Sequence, residues 1–158
     1  MTVHIRPATL TDLSALARLY NEGITGRNAT FETRLREGGE LESWLNWPCL
    51  VLEVGDELQG FARGGEYSPR PCYAGILEHG VYVSGAAQGQ GYGVKLLVAL
   101  QEAARLAGYH KLTSRIFVRN AASRAAHLGA GFREVGTHLR HAEQGGEWLD
   151  VVTVEVSL

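Results

Sequence analysis

The stretch from Glu78 to Gly108 constrains the fold more than any other part of the sequence. Its early residues Val81-Tyr82-Val83 are the β-branched and aromatic types that favour a strand. Four glycines then fall within nine positions, too many for the interior of a strand or helix: Gly85, Gly89, Gly91 and Gly93. From Val94 apolar residues recur at helical spacing up to Gly108, which can end a helix in the left-handed conformation. The pattern predicts a strand, a glycine-rich turn and a long buried helix.

A glycine-rich turn that opens a helix is suited to binding an anion. The first N–H groups of a helix have no acceptor within it, and the helix dipole places about half a positive charge there. Glycines let a ligand approach the main chain without meeting a Cβ atom. A phosphate or pyrophosphate is the natural ligand of such a site. The alternative is a plain strand-to-helix connection built from small residues.

The spacing of the glycines separates the phosphate-binding motifs. The dinucleotide motif G-x-G-x-x-G fails because Val94 stands where its third glycine belongs, and the nucleotide P-loop fails because Leu96 follows Lys95. The run Gln88-x-x-Gly91-x-Gly93 does match (Q/R)-x-x-G-x-(G/A). In this respect the turn resembles the GNAT N-acetyltransferase superfamily, in which that signature binds the pyrophosphate of acetyl-CoA.

Composition narrows the class of protein. With 158 residues, 45% of them apolar, and a net charge of −2, the chain is expected to form one globular domain over residues 1–158. That charge gives no electrostatic basis for binding nucleic acid or an acidic membrane. Cys49 and Cys72 are too few for a disulfide framework and are expected to be reduced thiols. Without a membrane-spanning apolar run or a signal-peptide core, a cytoplasmic protein is expected.

Hydrophobic periodicity along the chain predicts strands and helices in a characteristic order. In sequence these are a strand, two helices, three strands, a helix, a strand, a helix and two strands. The second helix is placed at residues 41–47, and the last two strands at residues 132–140 and 148–156. This order is typical of an α/β fold with a mixed sheet, antiparallel over its first strands, and with helices covering its faces.

Nearly the whole chain resembles the GNAT acetyltransferases, and most closely their phosphinothricin and methionine-sulfoximine N-acetyltransferase group. The matching runs are IRPAT, NATFET, the Arg70-Pro71 pair, EHGVYV, QGQGYG, VRNAASRAAH and GFREVG. Several of them lie in predicted loops, where the fold alone does not dictate the sequence. The resemblance implies a mixed, mostly antiparallel central sheet with helices on both faces, acetyl-CoA as co-substrate, and a possible homodimer.

The resemblance also implies where the cofactor binds. Main-chain groups of Val81, Tyr82 and Val83 should meet the pantetheine arm as though it were an added strand. The pyrophosphate should lie on the turn formed by Gln88, Gly89, Gln90, Gly91, Tyr92, Gly93 and Val94. Asn120 and Ser123 should contact the cofactor from the start of the next helix. Asn120 is also suited to capping that helix, and it can serve both purposes.

Catalytic and substrate-binding residues follow from the same resemblance. Glu78 matches the residue regarded as the general base of the group, and its alternative role is an ion pair with a nearby arginine. His127 stands where many GNAT enzymes carry a tyrosine acid, and its alternative is a histidine packed on a helix face. Phe31, Arg70 and Tyr73 would hold the acidic end of the substrate, since a stiff loop that displays Arg and Tyr suits recognition of a carboxylate. The alternatives are a core position for Phe31 and a plain surface connection, with one solvated arginine, for the loop that carries Arg70. The group often has a basic residue after the loop tyrosine, where this chain has Ala74.

These observations lead to a functional prediction. We expect direct transfer of an acetyl group from acetyl-CoA to the amine of a small amino acid or analogue. The expected partner is therefore a small-molecule amine. The alternatives are an acyl-CoA sensor without turnover, and an N-acetyltransferase acting on a peptide or another small amine. No metal is expected, because His138 and His141 are three residues apart on a strand and should point to opposite faces.

Overall fold

The computed structural model describes residues 2–26, 30 and 34–158, and the elements below lie in that part of the chain. The strands are β1 (Val3–Pro7), β2 (Cys49–Val54), β3 (Glu57–Glu66), β4 (Ile76–Val83), β5 (Lys111–Phe117), β6 (Arg133–Gln144) and β7 (Glu147–Ser157). The α-helices are α1 (Leu13–Gly26), α2 (Tyr92–Leu106) and α3 (Ala121–Gly129). Short 3-10 helices occur at Leu10–Asp12, Gly38–Asn46, Pro71–Tyr73 and Gly85–Ala87.

The strands form one sheet in the order β1-β2-β3-β4-β5-β7-β6. Every neighbouring pair is antiparallel except β4 and β5, which run parallel because α2 carries the chain from one to the other. The predicted α/β class, with a mixed and mostly antiparallel sheet, is therefore confirmed.

Helices cover both faces of the sheet, as predicted. Along β2 the side chains alternate, so that Leu50 and Leu52 belong to one buried cluster and Val51 to the other. The cluster on the α2 face contains Leu96, Leu97, Leu100 and Ala104 of that helix. The cluster on the opposite face contains Leu16, Leu19, Tyr20 and Ile24 of α1. Burial of both faces of β2 explains why its first four residues, CLVL, are a continuous apolar run.

The parallel pair β4 and β5 separates after a short ladder. Only Ile76, Leu77 and Glu78 pair with β5, at Lys111 to Thr113. Just beyond, the Ser114 hydroxyl donates a hydrogen bond of 2.7 Å to the His79 carbonyl. On its other side β4 stays paired with β3 as far as Val83. The two central strands thus diverge into a cleft, and one edge of the far half of β4 faces it.

The strand-turn-helix stretch folds as predicted, with small differences. Helix α2 begins at Tyr92, two residues earlier than the periodicity indicated, because Gly91 is its N-cap in the left-handed region (φ 79°). Gly108 follows the helix with a φ of 97°, the expected left-handed stop. Val98 is one of the apolar residues that recur at helical spacing from Val94, and it is 53% exposed although the pattern predicts a buried helix.

Two other local predictions need correction. The helix predicted at residues 41–47 is instead the 3-10 helix Gly38–Asn46, and Trp47 is its C-cap. The rings of His138 and His141 do not point to opposite faces but stack, with centroids 4.3 Å apart. The pairing of β6 shifts between His138 and Ala142, where Arg140 takes a φ of 48°, so the strict two-residue alternation fails there. No helix in the described ranges has the length and apolar character needed to cross a membrane.

Candidate active site

Two cavities meet at the open edge of β4. The smaller, of about 230 Å³, lies in the cleft between β4 and β5. The larger, of about 530 Å³, runs along the starts of α2 and α3 beside the end of α1. Four residues line both cavities and mark their junction: Val81, Tyr82, Asn120 and Ser123. A ligand that fills the larger cavity would therefore end close to the smaller one.

The larger cavity contains nearly all the residues predicted to bind the cofactor. Its lining includes Val81, Tyr82, Val83, Gln88, Gly89, Gly91, Tyr92, Gly93, Val94, Asn120 and Ser123. Gln90 belongs to the same turn, is exposed, and is not among the lining residues. At Gly89 and Gly91, both with positive φ, an added Cβ would meet no atom within 4 Å. The turn therefore leaves its main chain open to a large anion at the start of α2.

The free edge of β4 is the second feature that suits a cofactor arm. Strand addition requires a row of main-chain groups that no neighbouring strand has taken. The cleft provides this row at residues 80–83, because the β4–β5 ladder stops at Glu78. Gln88 Nε2 lies 3.5 Å from the Val83 carbonyl, at the end of the row nearest the glycine turn.

Asn120 serves as the cap that its position predicted. Its side-chain oxygen accepts a hydrogen bond of 3.2 Å from the main-chain N–H of Ser123, in the first turn of α3. Asn120 is buried, yet it borders both cavities. Its capping role and its place on the site are therefore compatible.

Glu78 lies on the smaller cavity, at the point where β4 and β5 part. Its two carboxylate oxygens are each 3.5 Å from Arg115 Nη2 on β5. The ion pair that the sequence left as an alternative for Glu78 is thus present. The Glu78 side chain is 34% exposed, so the pair leaves the carboxylate accessible from the cavity.

His127 lines the same cavity but is almost completely enclosed, with 1% exposure. Its Nδ1 donates a hydrogen bond of 2.8 Å to the Ser123 carbonyl within α3. In a neutral ring its Nε2 must then accept, and His79 Nε2 lies 2.9 Å away as the donor. Both nitrogens of His127 are therefore engaged inside the protein, and the Ser123 hydroxyl, 3.4 Å from Nδ1, is its contact toward the cavity.

The surroundings of this histidine pair favour the neutral forms. Burial, with a smaller contribution from the neighbouring His127, lowers the pKa of His79 from 6.5 to about 3. Burial also lowers the pKa of His127 below its usual value. Phe132 packs against both rings, at centroid distances of 5.2 Å and 4.8 Å. The pair is therefore a buried polar connection from β4 to α3.

The predicted substrate residues lie apart from both cavities where the structure describes them. Arg70 precedes the 3-10 helix Pro71–Tyr73 and is exposed. Tyr73 is 42% exposed and packs edge-to-face on Tyr67, with ring centroids 5.9 Å apart. Neither is among the lining residues. Phe31 lies outside the described residues.

Among the lining residues of the smaller cavity that the sequence did not predict are Arg63, His79 and Arg115. His79 was visible only as part of the EHGVYV run, and its partner His127 is 48 residues away. Arg63 and Arg115 each lie inside a strand, where a lone arginine usually marks a solvated face. Strand register, which sequence does not specify, brings all three to the cleft.

Comparisons with known proteins agree with this geometry. A model of the acetyltransferase (GNAT) family matches residues 16–132. The chain is 32% identical to the L-methionine sulfoximine/L-methionine sulfone acetyltransferase of Pseudomonas aeruginosa, over 100% of this chain and 96% of the relative. It is also 32% identical to the phosphinothricin N-acetyltransferase of Streptomyces coelicolor, over 97% of this chain and 95% of the relative.

A solved structure gives the same result. The GNAT superfamily phosphinothricin acetyltransferase (Pat) of Sinorhizobium meliloti, in complex with acetyl-CoA, is similar with a TM-score of 0.92 and 25% identity. The similarity covers 100% of this chain and 89% of that one. Together with the family match, these relatives confirm the resemblance drawn from the motifs. The chain belongs to the GNAT family of acetyltransferases.

Proposed function

We propose that this protein transfers an acetyl group from acetyl-CoA to the amino group of a small amino acid or analogue of the methionine sulfoximine or phosphinothricin type. The observation that carries the proposal is the junction of the two cavities at the open edge of β4. A long groove with an anion-binding turn reaches this junction from one side. A small cavity containing Glu78 reaches it from the other. The names of both relatives describe acceptors of this kind.

The donor is acetyl-CoA, and the residues of the groove suit it. The glycine turn and the free amides of α2 would hold the pyrophosphate, with Gly89 and Gly91 leaving room for it. The free edge at Val81 to Val83 would bond the pantetheine arm. Acetyl-CoA supplies an activated thioester, and the chain's own residues position it at the junction.

On the acceptor side, the nitrogen must be uncharged when it attacks the thioester. A free α-amino group has a pKa of about 8, so most of it is protonated at pH 7. Glu78 is assigned as the general base that removes this proton, directly or through one water. Arg115 contacts both carboxylate oxygens and fixes their orientation. A main-chain N–H at Tyr82 or Val83 would stabilise the oxyanion.

The proton for the departing thiolate needs a source, and His127 is the predicted one. Because both of its nitrogens are already hydrogen-bonded, a direct donation would first require one of these bonds to break. Its contact with the Ser123 hydroxyl offers a route to the junction, since Ser123 borders both cavities. We propose this route for the proton, with the thiolate itself a fair leaving group.

Residues 1–158 are proposed to act as one domain, in the cytoplasm, and as a homodimer by likeness to the group. Two other functions use the same groove. A sensor would bind acyl-CoA without turnover, and a peptide N-acetyltransferase would require a trough wider than the small cavity of about 230 Å³. The size of that cavity supports the small acceptor.

The test is release of CoA thiol from acetyl-CoA with methionine sulfone, methionine sulfoximine, phosphinothricin and common amino acids. We expect thiol release with at least one of the first three. Binding of acetyl-CoA with no thiol release in the presence of any acceptor would favour a sensor. The variant Glu78→Gln should lower kcat by about 100-fold or more while leaving acetyl-CoA binding unchanged. Glu42→Gln, an exposed glutamate in a 3-10 helix, is the matched control. Equal turnover of Glu78→Gln and the parent protein at every pH would remove Glu78 from the mechanism.

A further inference from the structure

We infer that Arg63 binds the carboxylate of the acceptor, so that the cavity selects zwitterionic α-amino acids over uncharged or purely cationic amines. This inference rests on the proposed function, since it names the substrate class of the same site. Arg63 lies on β3 and lines the smaller cavity together with Glu78. The predicted carboxylate-binding residue, Arg70, is exposed and does not line it.

The register of β3 and β4 places Arg63 and Glu78 on the same face of the sheet. Gly65 is paired directly with Glu78, and Arg63 with Gly80. Residues directly opposite one another in an antiparallel pair, and those two positions along, share a face. Arg63 and Glu78 are thus diagonal neighbours across the two strands. The residues paired with them, Gly80 and Gly65, have no side chains to lie between them.

The position of the Arg63 guanidinium is known from two contacts. Its Cζ lies 4.2 Å from the centre of the Trp44 ring, which provides a planar surface for it. A Cβ added to Gly65 would lie 2.9 Å from Arg63 Nη2, so the guanidinium extends over position 65. Because Gly65 is paired with Glu78, the cationic group extends toward the part of β4 that carries the proposed base. Glycine at position 65 makes this placement possible.

A cation and an anion that line the same small cavity complement an α-amino acid. Such a substrate carries its ammonium and carboxylate groups on the same carbon atom, so both must be met within a short distance. A planar guanidinium is well matched to a carboxylate, which it can bind through two parallel hydrogen bonds. With the carboxylate held by Arg63, the amine is directed to Glu78 and to the β4 edge beyond it.

Arg115 is the competing cation in the cavity, and its situation is less suited to the task. It contacts both oxygens of Glu78, so its guanidinium is directed at the proposed base. Its side chain is 54% exposed, so solvent and salt screen its charge. Arg63 is only partly exposed and lies against an aromatic ring, where a charge acts more strongly. The geometry therefore favours Arg63 as the group that recognises the acid.

The experiment compares L-methionine sulfone with its carboxamide, which keeps the amine and the side chain but has no carboxylate. Binding of each to the protein with CoA present is measured by calorimetry, and kcat and KM are measured by thiol release. For Arg63→Met we expect binding of the acid to weaken and its KM to rise by about 10- to 100-fold. Binding of the carboxamide and of acetyl-CoA should change less than threefold. Arg105→Met, an exposed arginine at the end of α2, is the matched control and should keep the parent's acid preference.

Arg63→Lys provides a second variant, since it keeps the charge but not the planar fork. It should retain a reduced preference for the acid, and it covers the case in which Arg63→Met is unstable. An unchanged ratio of acid to carboxamide binding in both variants would overturn the inference. The proposed function fails separately, if the parent protein releases no thiol with any acceptor. In that case, a loss of the preference for methionine sulfone over its carboxamide in the binding data for Arg63→Met would still support the role of Arg63.

Discussion

The buried pair of His79 and His127 should make the stability of this protein depend on pH in a defined range. Burial lowers the pKa of His79 from 6.5 to about 3, so the folded state keeps this ring neutral. The unfolded state takes up a proton as pH falls through 6.5. Between pH 6.5 and about 3 the unfolded chain therefore binds more protons, and lowering the pH costs stability. The stability that comes from keeping His79 neutral is fully present above pH 6.5 and is lost progressively as the pH falls from 6.5 to about 3.

The size of the effect follows from the linkage relation. Each proton bound only by the unfolded state costs about 1.4 kcal/mol per pH unit well below its pKa. Integrated for His79 alone from pH 7.5 to pH 5, this is about 2 kcal/mol. The lowered pKa of His127 acts in the same direction and adds to the loss. With a urea slope of about 2 kcal/mol per molar, the midpoint of unfolding should fall by about 1 M.

The assay is urea unfolding at pH 7.5 and pH 5 for the parent protein and for His79→Gln. A glutamine amide can still donate to His127 Nε2, but it does not titrate in this range. The variant should therefore lose about 2 kcal/mol less than the parent between the two pH values, whatever its stability at pH 7.5. Acidic groups such as Glu134, whose pKa is lowered by Arg124, are present in both proteins and cancel. His4→Gln, at an exposed histidine, is the control.

Two results would refute this reasoning. Equal losses in the parent and in His79→Gln would show that His79 does not supply the pH dependence. A parent protein whose urea midpoint is the same at both pH values would show that the pair already carries a proton when folded. Either result would require a different protonation state for the site.

Two further predictions concern single residues elsewhere. Gly91→Ala should destabilise the protein by about 1 to 2 kcal/mol in urea unfolding, because alanine is strained at a φ of 79°, whereas Gly85→Ala, with open space and no positive φ, should cost much less. Equal losses in the two variants would contradict the strain argument. With a chromogenic disulfide at pH 8, exposed Cys72 should react at least about 100-fold faster than buried Cys49, whose pKa is raised to about 11 by burial. Similar rates for both thiols in folded protein would show that Cys49 is accessible.

Much of the fold was predictable because its strongest signals are local. The glycine-rich turn between Val83 and Tyr92 requires special main-chain conformations, and only certain residues supply them. Gly108 marked the end of α2 for the same reason. The 3-10 helix at Gly38–Asn46 was harder to predict, because an apolar pattern this short also fits one turn of α-helix.

The candidate site was less predictable, because it depends on contacts between distant residues. Nothing near Arg63 in the sequence indicates that it lies beside Glu78, since this follows from the register of β3 with β4. The enclosure of His127 depends on His79, which belongs to a different element. Arg70 and Tyr73 lie in a loop whose composition suits ligand recognition, yet neither residue lines either cavity. Composition therefore did not reveal the position of this loop in the fold.

The short ladder between β4 and β5 divides the sheet into two halves, with four strands on one side and three on the other. The ladder at this seam has three residue pairs, and the Ser114 hydroxyl bond and the Glu78–Arg115 ion pair add to it. A coenzyme arm lying along β4 would bridge the halves and act as part of the sheet. Its binding free energy would then add to the cohesion of the whole molecule, so amide hydrogens along the seam should exchange faster in the ligand-free enzyme than in the complex.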